Sequence, residues 1–189
     1  MNDSSRPLIL VSNDDGMASP GLSAVVEAVA PLGEVLVVAP KTQQTASGRS
    51  FVRSEWMIEP YEFELSDGAS VTGYMIDGTP AQAVRAGLLL LADRRPDFFI
   101  SGINYGENIG LGVTISGTVG AAIEAASFNV PAMAISLETA LDYHFSHSEE
   151  IDFTVAGHFA GYFARMILTH SSFRESDIIK VEVPASATI

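Results

Sequence analysis

Cysteine is absent from the 189 residues, which excludes disulfides and thiolate-held zinc. Basic side chains are scarce: 10 Lys and Arg stand against 23 Asp and Glu, a formal charge of −13. They form no cluster, so a nucleic-acid duplex is not an expected partner. Long apolar runs are missing too. The first, Leu8 to Val11, is four residues, far short of a signal-peptide core or of the ~18 residues of a membrane span. A soluble, cytoplasmic chain with no membrane partner is the expectation. An anionic ligand would need a local positive element, either a metal ion or the free amides of a helix N-terminus.

Apolar residues are plentiful, at 47%, and the length suits one domain over residues 1–189. Pro7 to Ser12 reads as a buried strand. Leu22, Val25, Val26, Val29 and Leu32 recur at helical spacing, with Gly33 as the stop. Glu34 to Ala39 is a second strand, ended by Pro40, and the three together make a right-handed βαβ unit. Phe51 to Leu65 looks like an extended excursion or hairpin, and Val71 to Ile76 is a strand. Ala81, Val84, Leu88 and Leu91 mark a helix opening after Pro80. Asp97 to Ser101 is a strand, followed by a glycine-rich loop from Gly102 to Gly117. A short helix around Val119 to Ala126, a strand over Pro131 to Ser136, a helix over Ile151 to Leu168 and a strand over Ile178 to Val183 complete the pattern. Strands alternating with helices predict a Rossmann-like, doubly wound α/β fold, with a mostly parallel sheet and helices on both faces. Ligands in such sheets bind at the carboxyl ends of the strands.

Three segments there carry chemistry. Ser12-Asn13-Asp14-Asp15-Gly16 leaves the first strand with two adjacent carboxylates, which can converge on a hard divalent cation; a capped turn is the plainer reading. Gly102 to Gly112 holds four glycines in eleven residues, with Asn104 offering a neutral oxygen. Ser116-Gly117-Thr118 opens a helix with hydroxyls and free amides, an anion site or a simple cap. A Walker A loop is excluded because no Lys lies between Lys41 and Lys180. The dinucleotide fingerprint fails at Ile115, and no Ser sits in a G-x-S-x-G elbow. His144 and His147, in a polar loop, read as solvated rather than as a zinc pair. Trp56 suits a base-stacking, core or hairpin role. Phe159, Phe163 and Met166 read as the buried face of the last helix.

In combination, LILVSNDDG (8–16), EVLVVAP (34–40), Gln44-Thr45-Ala46-Ser47-Gly48, DGTPA (77–81), PDFFISGINYGENIG (96–110) and SGTVGAAIEAA (116–126) resemble the SurE family of metal-dependent 5′/3′-nucleotidases. The resemblance implies one divalent cation per subunit, Mg²⁺ or Mn²⁺, held by Asp14, Asp15, Asn104 and Thr45. Thr45 stands where the family usually has Ser, and Gln44 where it has Arg; Ser47 is the second hydroxyl candidate. Asp14, Asp15 and Asn104 would carry the catalysis, and Ser116, Gly117 and Thr118 would hold the phosphate. The implied activity is hydrolysis of nucleoside monophosphates and of short polyphosphate. A metal- and nucleotide-binding relative without turnover is the alternative. The general acid is not identified, and direct attack by Asp14 stays open. The resemblance further implies a homodimer or higher homo-oligomer. The family's usual C-terminal extension is expected to be absent, which would weaken that assembly.

Overall fold

A computed structural model describes residues 6–53, 55–144, 148, 150–170, 173 and 175–189. Its strands are β1 (Leu8–Ser12), β2 (Glu34–Pro40), β3 (Ile58–Glu64), β4 (Ser70–Ile76), β5 (Phe98–Tyr105), β6 (Ala132–Leu137) and β7 (Ile178–Val183). The helices are α1 (Pro20–Val29), α2 (Pro80–Ala86), α3 (Gly112–Ile115), α4 (Gly117–Ser127) and α5 (Thr154–Thr169). The strands form one sheet in the order β3-β4-β2-β1-β5-β6-β7, parallel throughout except for β3, which pairs antiparallel with β4.

Side chains alternate across the sheet as the pleat requires. Ile9 and Val11 of β1 enter the core beneath α1 and α5, whereas Leu10 enters the core beneath α2 and α4. Burial on both faces explains why these strands read as unbroken apolar runs. Proline opens both α1 and α2, where its missing N–H costs no helical bond. In α2 a reciprocal cap fixes the start: Gln82 N–H donates to Thr79 Oγ1 at 3.3 Å, and Thr79 N–H donates to Gln82 Oε1 at 3.0 Å.

The structure departs from sequence expectation in several places. Strand β5 does not stop at Ser101 but runs on through a register shift between Ser101 and Asn104. Gly102 takes φ +135 there, and its peptide bond to Ile103 is cis. Asn104 therefore belongs to a strand end, and the loop beyond it contains the short helix α3. Helix α1 ends at Val29, before Gly33, and α2 gives way to a π-helical turn over Gly87–Leu91 that leaves Leu89 and Leu90 exposed. Helix α5 begins at Thr154 rather than Ile151, and its deepest residues are Ala156, Gly157, Ala160, Ala164 and Ile167. Phe159, Phe163 and Met166 are only half-buried, because the small residues are what let α5 lie against α1. Trp56 is half-buried against the α2–α4 core. Among the described residues no helix is long and apolar enough to cross a membrane.

The chain runs outward from β1 to β2 on one side and returns to β5 on the other. The β1/β5 carboxyl ends are thus the point where the strand order reverses, and a crevice opens there.

Candidate active site at the sheet's switch point

The turn after β1 is locked by its own amide. Asn13 Nδ2 donates to Gly16 O at 3.0 Å, and Gly16 N–H donates back to Asn13 Oδ1 at 3.2 Å. Gly16 sits at φ +100, where a Cβ would meet the Thr42 backbone carbon at 3.1 Å. Only glycine lets the 41–50 loop pass so close. Asp14 O then accepts from Gln44 N–H at 2.7 Å, binding that loop to the acids.

Asp14 and Asp15 are buried, at 5% and 2% exposure. Burial pushes the Asp14 carboxyl above its ordinary range, against the Thr118 hydroxyl and the backbone amides of Gly117 and Thr118, which pull it down. Asp15 is driven well above that range by burial and then by the neighbouring Asp14 charge, with the Gln43 amide and the Tyr105 backbone opposing. Gln43 Nε2 donates to Asp15 Oδ1 at 3.1 Å and to His144 O at 2.9 Å. The Tyr105 phenol, buried near Asp15, is pushed up to about 12, chiefly by burial.

Asn104 turns its oxygen toward the Thr118 hydroxyl. Its Nδ2 donates to Gly106 O at 2.7 Å and to Tyr105 O at 3.0 Å, which fixes the amide's orientation. Thr118, fully buried, donates its hydroxyl proton to Asp14 Oδ1 at 2.5 Å, with Asn104 Oδ1 3.2 Å from the same Oγ1. Three oxygens thus converge on a single hydroxyl proton. Such a cluster is short of positive charge.

Helix α4 begins here. Ser116 caps it by accepting from Val119 N–H at 3.1 Å, and its own hydroxyl proton can still be donated. A Cβ at Gly117 would lie 2.7 Å from Asp14 Oδ2 and 2.7 Å from Ser47 Oγ, so the missing side chain leaves space between these two oxygens. Ser47 Oγ is buried without a hydrogen-bond partner among the described residues. Thr45 is exposed, near the tip of the loop beside Ala46 at φ +57.

Asp14, Thr45, Asn104, Tyr105, Ser116 and His144 line a cavity of about 140 Å³ at the strand ends. Larger grooves of about 640 and 950 Å³ lie elsewhere, one by β2–β4 and one between α1 and α5, and neither contains these residues. The structure therefore gathers Asp14, Asp15, Asn104, Ser116, Gly117 and Thr118 around one point. Of the last three, only Ser116 reaches the cavity wall. His144 packs on Gly106 and shares the wall, while His147 lies outside the described residues.

Sequence reasoning did not find Gln43, nor the ion pairs that hold the loop. Glu124 of α4, fully buried, receives Arg49 Nε at 2.6 Å and Arg85 Nε at 2.7 Å. Arg85 also lies 4.5 Å over the Phe51 ring. Gly48 presses on Gly120, where a Cβ would come 2.2 Å from Gly48 O. An acid on the apolar α4 was the available signal.

Among the described residues no group of three or more His, Asp or Glu gathers to hold a metal. Two carboxylates supplemented by an amide oxygen and hydroxyls is a different donor set. It fits a hard cation of the Mg²⁺ type, which is commonly bound through one or two carboxylates and keeps several waters.

The family model described as survival protein SurE matches residues 9–189. A Methanocella arvoryzae protein named 5′-nucleotidase SurE is 44% identical over 95% of this chain and 68% of its own length. A Thermococcus kodakarensis protein of the same name is also 44% identical, again over 95% of this chain and 68% of its own. The crystal structure of the SurE protein from Aquifex aeolicus superposes with a TM-score of 0.73 at 31% identity, covering 94% of this chain and 66% of that one. The chain spans about two thirds of the length of these relatives.

Proposed function

The chain belongs to the SurE family, and from that premise we propose that it hydrolyses nucleoside monophosphates as a divalent-cation-dependent phosphatase. The observation that carries the proposal is the oxygen cluster of Asp14, Thr118 and Asn104, which shares one proton beside a second buried acid. Removing carboxylates from water is costly unless positive charge joins them. Asp14, Asp15 and Asn104 would hold that cation, Mg²⁺ or Mn²⁺, one per subunit, with a hydroxyl of the 41–50 loop, Thr45 or Ser47, completing the set. When bound, the cation supplies Lewis-acid polarisation of the phosphoryl group and a lower pKa for the attacking water.

The chain's own groups do the rest. Ser116, on the cavity wall at the start of α4, donates its hydroxyl to a phosphoryl oxygen, and the helix N-terminus favours the same negative charge. The local positive end of α4 reconciles anion binding with a chain of net charge −13. Asp14 and Asp15, held apart from bulk water, would present their carboxylates to the cation once it binds. The resemblance to SurE proteins also supports short polyphosphate as a substrate and a cytoplasmic homo-oligomer, which sedimentation would test.

Phosphate release from a panel of 5′- and 3′-nucleotides, with Mn²⁺ or Mg²⁺ and again with chelator, tests the function. Cation-dependent release is expected. Turnover that survives exhaustive chelation overturns the cation's role, and tight nucleotide binding without turnover overturns the enzyme.

A further inference from the structure

We propose that Thr118 is a positioning residue that sets the spacing and orientation of Asp14 and Asn104, and that it does not touch the substrate phosphate. The inference rests on the cation site proposed above and assigns this helix-start hydroxyl a place in it.

Three observations support it. Thr118 is completely buried and does not line the cavity that Asp14, Asn104 and Ser116 share. Its hydroxyl proton is already committed to Asp14 Oδ1 at 2.5 Å, a charge-assisted bond of the short, strong kind. Its oxygen also sits 3.2 Å from Asn104 Oδ1, so one rigid hydroxyl separates the two groups, which come from residues far apart in sequence. A short branched side chain suits that task, because full burial and the bond to Asp14 hold it in place. Asn104 cannot turn away, since both protons of its amide nitrogen are held by the carbonyls of Tyr105 and Gly106. Asp14 is pinned at one oxygen by Thr118, while its other oxygen faces the space left by Gly117. Partners of this kind, which bind a ligating carboxylate from behind, govern metal affinity by orienting it.

The division of labour follows. Ser116 reaches the cavity and can meet the phosphate. Thr118, two residues on, points inward to the ligands.

The test uses Mn²⁺ as probe, with uptake by the apo chain followed from the EPR signal of the free ion. Thr118→Val keeps the shape and removes the hydroxyl, and it is expected to weaken Mn²⁺ binding by about tenfold or more. Thr118→Ser restores the hydroxyl and should return affinity to within about threefold of wild type. At saturating Mn²⁺, the valine variant should lose kcat with little change in KM for the nucleotide. Inorganic phosphate should inhibit it as strongly as it inhibits wild type. Unchanged Mn²⁺ affinity, with KM and the phosphate inhibition constant both raised, would make Thr118 a substrate contact and overturn the proposal. If the valine variant does not fold, Thr118→Ala and Thr118→Ser are compared instead: equal Mn²⁺ affinities overturn the proposal, and loss in alanine alone supports it. Asp14→Asn separates the two readings. If wild type takes up no Mn²⁺, or Asp14→Asn leaves uptake unchanged, the cation site itself falls and this inference with it. If Asp14→Asn abolishes uptake while Thr118→Val does not, only the inference falls.

Discussion

Glu124 and the Asp14–Asp15 pair are acids taken out of water, and the chain treats them in opposite ways. Glu124 is met by two guanidinium groups, Arg49 and Arg85, drawn from only ten Lys and Arg in the whole sequence. Among the described residues, Asp14 receives the Thr118 hydroxyl and backbone amides, and the Gln43 amide donates to Asp15. A carboxylate neutralised inside the fold is bound into its architecture. Asp14, held by a hydroxyl and amides at a strand-order reversal and on the wall of a cavity, is placed where the proposed cation could reach it. The two regions are also connected, because Arg49 belongs to the 41–50 loop, whose Gln44 N–H donates to Asp14 O.

The largest effect is expected at Asp14. Asp14→Asn should lower kcat/KM on the order of a thousandfold, since several kcal/mol of transition-state stabilisation depend on the cation it would hold. Steady-state phosphate release at saturating Mn²⁺ measures this, and a near-normal rate would remove Asp14 from the site.

Glu124→Gln tests the other side of the comparison. It leaves two arginines facing an amide and should destabilise the fold by about 2–3 kcal/mol. Because both arginines are partly exposed, with side chains 40% and 38% accessible, they recover some hydration and the cost stays below that of a fully buried break. Urea denaturation reads it directly. An unchanged midpoint would mean that this ion cluster contributes nothing to the fold.

The opposite sign is expected at Asp15. Burial and the Asp14 charge raise its carboxyl, so the folded state keeps a proton that the unfolded chain has released. That contribution to stability is complete below the ordinary value of 3.8 and is lost as pH climbs through the raised one. Asp15→Asn removes the buried charge and should stabilise the metal-free protein by about 1 kcal/mol above neutral pH. The gap between variant and wild type should close toward acid pH. Melting in chelator across that range checks it, and a variant less stable than wild type at alkaline pH would break the contrast with Glu124.

Thr45→Ser should have the smallest effect, within about threefold in kcat/KM, because Thr45 is exposed and serine keeps its hydroxyl. Ser47→Ala, assayed in parallel, sharpens the result. If Thr45→Ala is silent and Ser47→Ala is not, the buried hydroxyl facing Asp14 is the loop's ligand.

Much of this fold was legible along the chain. β1, β2 and β6 fall within a residue or two of expectation, because strands buried on both faces must be continuously apolar, and the edge strand β7 matches at both ends. The misplaced boundaries lie where glycine weakens the local signal. Gly102 hid the continuation of β5, and the glycine spacing around Gly112 hid α3. Helix α5 misled for another reason. Its large aromatic residues suggested the buried face, yet close approach to α1 selected the small ones.

By itself the sequence determined that strands and helices alternate, that paired acids follow the first strand, and that an amide oxygen and a hydroxyl-bearing helix start lie at later strand ends. These follow from periodicity and turn chemistry, which act over a few residues. Tertiary structure decided which of these groups meet and in what role. Thr118 reaches Asp14 across 104 positions of sequence, Arg49 reaches Glu124 across 75, and Gln43 joins Asp15 to a loop 101 residues away. Those pairings depend on the sheet order, which places β5 beside β1 and brings α4 and the 41–50 loop to the same strand ends. No local pattern carries that information, because an acid and the hydroxyl that orients it need only be neighbours in space.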